Sequence, residues 1–290
     1  VRKRARALTL LTFGAGFGSV VFVPLAAELE ARSDWRQAAL ILGIILGGIG
    51  IPLHALVLRR RPQDHGLLPD GEPARAAGDA PLPAHLRETS MTQRQALRTP
   101  AFWWIAAAFC MTIVANVAML IHLVSYLRDE GFSPAFAASV VAATGLVALP
   151  GRLIFTPLGA IIPRRLIAVL IFSLQGFGLL VLQLGESERS VWIFVVLFGA
   201  GMGAINPARA QIVVEFFGPK AYGAINGVLA FTMTMFRAVA PLGASLLFTL
   251  WGGYGEVIWV LTTLSFLACV AIAFASPPRR PTADAPGAAA

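Results

Sequence analysis

Residues 101–126 read AFWWIAAAFCMTIVANVAMLIHLVSY, a run of 26 positions without an Asp, Glu, Lys or Arg. At the helical rise of about 1.5 Å per residue, such a run reaches roughly 39 Å, more than the roughly 30 Å of a bilayer's hydrocarbon core. Outward from it, runs of the same kind occupy residues 7–27, 37–58, 134–158, 166–184, 191–214, 223–250 and 257–274. Short stretches rich in Arg, Pro, Gly and Asp separate them. The pattern predicts an all-α polytopic membrane protein of about eight transmembrane helices. Composition agrees: 57% of the 290 residues are hydrophobic and 13% charged, where a soluble domain carries roughly a quarter charged residues.

The net charge of +8 invites a nucleic-acid reading, but the basic residues flank apolar runs, and no basic stripe is interleaved with exposed aromatics. They act instead as topology signals. With the amino terminus inside, segments 2–6, 59–98, 164–165, 209–220 and 279–280 hold seventeen Lys and Arg, while the outer segments hold four, at Arg32, Arg36, Arg128 and Arg189. Both termini are therefore expected in the cytoplasm of a multi-pass plasma (inner) membrane protein. Cys110 and Cys269 both lie inside apolar runs, so neither a disulfide framework nor a zinc site is expected. The Arg-rich start leads into a full-length span with no cleavage site. No His-Glu-x-x-His, Gly-x-Ser-x-Gly or phosphate-binding Gly-Lys-Ser/Thr loop occurs, and neither an enzyme activity nor a cofactor is expected.

Residues 59–100 form one long segment rich in Pro, Ala, Gly and charge, read as a mobile cytoplasmic linker. Its last part, 91–98, reads either as a short interfacial helix with Leu97 toward lipid or as a solvated connector. The expected divisions are two helices in 1–58, the linker in 59–100, a six-helix bundle in 101–276 and a cytoplasmic tail in 277–290. Glycines four apart, at Gly14 and Gly18, Gly43 and Gly47, and Gly199 and Gly203, predict close helix approaches.

Several segments resemble one family. Trp35-Arg36 opens the second span, and Arg61-Pro62-Gln63-Asp64-His65-Gly66 begins the linker. His122-Leu123-Val124-Ser125-Tyr126-Leu127 is followed by Gly131-Phe132-Ser133. Pro150-Gly151-Arg152-Leu153, Phe217-Gly218-Pro219-Lys220-Ala221-Tyr222-Gly223 and Arg237-Ala238-Val239-Ala240-Pro241 complete the series. In this order they resemble the major facilitator superfamily, in particular its bacterial branch similar to monocarboxylate and oxalate/formate carriers. The resemblance runs from Arg2 to about Phe274 and implies helices five to twelve of a twelve-helix fold, with four helices missing upstream. One departure concerns the loop between helices eight and nine, where the family carries Gly-x-Leu-Ala-Asp-Arg. This chain has Ala160 at the acidic position, which leaves the usual inner latch of this half without its acid.

Arg237 lies midway along the run 223–250, roughly 20 Å from either end and too deep to snorkel easily. Its guanidinium can grip a carboxylate through two parallel hydrogen bonds. It reads as a substrate ligand, or else as the partner of an acid in the missing helices or of backbone carbonyls near Pro241. Asn116 and His122 are further substrate candidates. They stand six residues apart and need not line one surface, and His122 reads either as a proton-coupling group or as a hydrogen-bonded histidine near the outer end. Arg152 near the inner end of its helix, with Arg164 and Arg165 at the exit to water, makes the expected gating or inner-face set. The functional expectation is a secondary carrier that moves a small organic anion by alternating access, proton-coupled or by exchange. The alternative is a truncated or regulatory membrane protein without transport of its own.

Overall fold

The computed structural model describes residues 21–22, 25–26, 28–30, 32–57, 90–158 and 161–278. The chain separates into two units, Val1–Pro81 and Leu82–Ala290. Seven helices among the described residues are long and apolar enough to cross a membrane. The expected span 7–27 and the linker up to residue 89 lie almost wholly outside the described residues.

The first unit holds α1, Trp35–Val57. Asp34 starts it, its Oδ1 accepting from the backbone N–H of Arg36 at 2.6 Å and of Gln37 at 3.0 Å, the capping role for which Asp is favoured. Only Ala38 is buried along α1. Gly43 has nothing within 4 Å of where a Cβ would stand, so among the described residues it mediates no close approach.

The second unit begins with Ser90 and Met91 and a one-turn helix, α2 at Gln93–Leu97, set by a reciprocal capping box between Thr92 and Gln95. The backbone N–H of Met91 donates to the Phe217 carbonyl at 2.8 Å, and Met91 and Ala96 are buried. Leu97 packs against the bundle core, where the interfacial-helix alternative for 91–98 turns it to lipid. This end of the linker is therefore docked, because Met91 and Ala96 fill a gap that a solvated connector would leave open.

Six long helices follow: α3 Pro100–Asp129, α4 Pro134–Leu158, α5 Arg164–Leu184, α6 Glu188–Phe217, α7 Tyr222–Trp251 and α8 Tyr254–Phe274. Thr99 caps α3 with Pro100 in its first turn, and Ser187 caps α6. α6 packs mainly on α5 and α4, α5 also on α8, and α3 on α8 and α7. Lipid tails are as apolar as the helices, so close packing rather than exclusion from water holds such a bundle together. The α4–α6 contact shows how: a Cβ on Gly203 would run into the Ala148 carbonyl, and one on Gly151 into that of Ala200. Two aromatic-rich cores result. Phe109 and Phe172 meet edge to face at 5.3 Å in the half nearer the linker, and Phe194 and Phe198 stack at 5.0 Å in the far half.

Candidate functional site

α7 sits on the bundle by one stripe, Ile225, Leu229, Met233, Ala240 and Ala244, spaced by four or seven as one helical face requires. Between Met233 and Ala240 every residue from 234 to 239 is exposed. Arg237 is in this bare segment, fifteen residues after Tyr222 in a helix of 30. Among the described residues no hydrogen bond or ion pair engages its guanidinium. An unneutralised cation at mid-span is costly in a bilayer.

Asn116 and His122, the other expected substrate ligands, point to different neighbours. Asn116 on α3 is buried and pairs with Gln175 on α5. Its Nδ2 donates to Gln175 Oε1 and its Oδ1 accepts from Gln175 Nε2, each at 3.2 Å, and Nδ2 also donates to the Thr112 carbonyl at 2.8 Å. His122 is half-buried between α7 and α8, with Nδ1 3.0 Å from the Tyr254 hydroxyl and Nε2 3.2 Å from the Pro241 carbonyl. Asn116 is thus engaged with α5, whereas His122 meets the carbonyl of Pro241, four residues after Arg237 on α7. Both have their polar atoms engaged by protein groups.

The expected inner-face residues are all tied to backbone or to an acid. Arg152 Nε donates to the Gly203 carbonyl at 3.2 Å, linking α4 to α6. Arg165 Nη1 donates at 3.1 Å to the carbonyl of Ala275, the residue that ends α8, where a cation also favours the helix dipole. Arg164 Nη1 meets Glu215 Oε2 at 2.8 Å, joining the start of α5 to the end of α6. Its two members stand 51 residues apart in the chain.

Arg209, counted with the inner segments for topology, lies inside α6, half-buried, with Nη1 3.2 Å from the Met233 sulfur. Its position five residues before the end of the apolar run 191–214 was the available signal. A separate cavity of about 460 Å³ between α3, α7 and α8 is almost wholly apolar. Cys110, Met111, Val114, Phe236, Ala240 and Leu264 line part of it, and Arg237 does not.

Compared with known proteins, the chain matches the family model described as Major Facilitator Superfamily over residues 1–241 and 157–290. It is 26% identical over 222 residues to monocarboxylate transporter 13 of Bos taurus, covering 75% of this chain and 47% of that protein. To the uncharacterized MFS-type transporter YcxA of Bacillus subtilis it is 23% identical over 270 residues, covering 91% and 62%. The probable sugar efflux transporter of Haemophilus influenzae is 21% identical over 281 residues, covering 91% and 64%. The chain therefore spans between about half and two thirds of the length of these relatives. Among solved structures, the Escherichia coli fucose:proton symporter FucP aligns with a TM-score of 0.55 at 13% identity, covering 64% of this chain and 45% of that one. That likeness concerns the fold alone.

Proposed function

The chain belongs to the Major Facilitator Superfamily, and from that premise we propose that it forms part of a secondary transporter moving a small organic anion, such as a carboxylate, by alternating access. Coupling is to protons or to exchange with another anion. The observation that carries the anion is Arg237, a cation in the middle of a membrane-spanning helix that engages no acid or carbonyl among the described residues. Asn116 and His122 spend their hydrogen bonds on the protein, so the ligand role falls to Arg237. Arg152, Arg164 and Arg165 set the linker-side face of the bundle.

In this reading residues 1–58 are the last two helices of the amino-terminal half, four preceding helices complete that half, 59–100 is the linker, 101–276 the carboxyl-terminal half and 277–290 a tail. Such folds place cargo between two halves. Both termini face the cytoplasm of the plasma membrane, from the distribution of Lys and Arg. The names of the relatives, monocarboxylate and MFS-type transporters, support the class of activity.

The test is anion binding together with thermal stability in Arg237→Ala and Arg237→Lys. Loss of a charge-assisted hydrogen bond lowers binding by about 1.5–3 kcal/mol in the Ala variant, and the Lys variant keeps only part of it because it lacks the planar fork. A stable Arg237→Ala protein with unchanged affinity removes Arg237 as the ligand.

A further inference from the structure

Arg209 is a second cation inside a membrane-spanning helix. It lies eight residues before the end of α6 at Phe217, about 12 Å inside the helix. Its Nη1 rests on the Met233 sulfur, a weak acceptor that neutralises no charge. Its Nε is buried without a hydrogen-bond partner. The two ion pairs among the described residues, Arg32–Glu28 and Arg164–Glu215, leave it out.

Met233 and Arg237 stand four apart on α7, so they share a face with Cβ atoms roughly 5–6 Å apart. The Met233 contact therefore brings the Arg209 guanidinium within about one helical turn of Arg237. The acids of the bundle do not separate the two cations. Asp129, Glu130, Glu186, Glu188 and Glu256 lie at the far helix ends, and Glu215 is held by Arg164. Two neighbouring guanidinium groups at membrane depth call for negative charge between them.

We propose that Arg209 and Arg237 form one dicationic site and that its cargo is a small dianion. The inference rests on the carrier reading above and adds a second ligand and a charge to it. A monoanion leaves one guanidinium uncompensated, whereas a dianion neutralises both. Each guanidinium presents a donor fork suited to a carboxylate or a phosphate. A short dicarboxylate and inorganic phosphate share this chemistry.

The experiment titrates the carrier, expressed from its native start and held in nanodiscs of uncharged lipid, with succinate, inorganic phosphate and lactate. One of the two dianions binds at least about tenfold more tightly than lactate, and which one it is separates carboxylate from phosphate. Arg209→Ala weakens that dianion by about ten- to hundredfold and lactate far less, collapsing the dianion-to-lactate ratio. Arg209→Lys restores part of it.

Lactate binding as tightly as both dianions overturns the proposal. So does an unchanged ratio in Arg209→Ala. Where the Ala variant fails to fold, Arg209→Gln and Arg209→Lys are read the same way, and a lowered melting temperature with an unchanged ratio assigns Arg209 to a structural ion pair instead. If Arg237→Ala loses anion binding while Arg209→Ala is silent, the dianion inference fails and the organic-anion reading stands. If none of the three probes binds, both fall.

Discussion

α6 and α7 have the same length, 30 residues, and each carries an Arg and a Pro in its interior, yet sixteen residues of α6 are buried and five of α7. The difference begins in the sequence. α6 has Gly199, Gly201, Gly203, Ala204 and Ala208, small residues that let α4 and α5 approach to backbone distance. α7 has Phe231, Met235, Phe236 and Leu242, and these are exposed. One helix is built as the centre of the bundle. The other leaves most of its surface bare, Arg237 included. Length and apolarity alone do not separate the two; the size of the side chains at contact positions does.

The largest test of this contrast is a reversal of sign for one kind of substitution. A methyl group at Gly203 meets the Ala148 backbone, whereas at Gly227 of α7 it meets nothing within 4 Å. Gly203→Ala is expected to destabilise by about 3 kcal/mol, the upper part of the overpacking range. Gly227→Ala is expected to stabilise by about 0.5–1 kcal/mol, because Ala is the better helix former. Melting temperatures of the two variants in one detergent decide it, and equal shifts would remove the distinction between a packed and a free helix.

A smaller effect sharpens what is core. Asn116 and Gln175 are buried and satisfy each other between α3 and α5. Asn116→Leu leaves the Gln175 amide without its partner and should cost about 1–2 kcal/mol. Adding Gln175→Leu removes the orphan and should recover most of the loss, so the double-mutant cycle shows clear coupling. If the losses simply add and anion affinity falls with Asn116→Leu alone, Asn116 is a cargo ligand and not a core group.

The spans were legible because length and apolarity are local properties; α4 has the bounds 134–158 expected of it. Helix ends were less so. α3 runs on to Asp129 beyond the apolar run that ends at residue 126, since polar residues such as Arg128 continue a helix into the headgroup region without a hydropathy signal. Arg237 was visible as a charge in mid-run. Arg209 was not, because counting basic residues for topology treats any charge near the end of a run as a loop residue. The pairings Asn116–Gln175 and His122–Tyr254 join positions 59 and 132 residues apart, and no periodicity within one helix encodes such a partner. Glu215 is likewise 51 residues from Arg164, so the ion pair on the linker side had to come from the fold.

That ion pair gives the smallest test of how the packed helix and the free one differ. The end of α6 is fastened to the start of α5 by Arg164 and Glu215 at 2.8 Å, with both side chains partly exposed, 40% and 28%. At that exposure solvent screens most of the attraction. Glu215→Gln, which keeps shape and some hydrogen bonding, is expected to lower stability by about 0.5–1 kcal/mol. The loss should shrink as salt is raised, because the Debye length falls from about 10 Å at 0.1 M to about 3 Å at 1 M. Arg164→Gln should give a similar loss, and the double variant little more than either alone. Thermal unfolding of the three variants at low and high NaCl reads this directly. A loss well above the exposed-pair range, insensitive to salt, would mean that the pair is buried by a surface beyond this bundle, and the linker-side end of α6 would then belong to an interface.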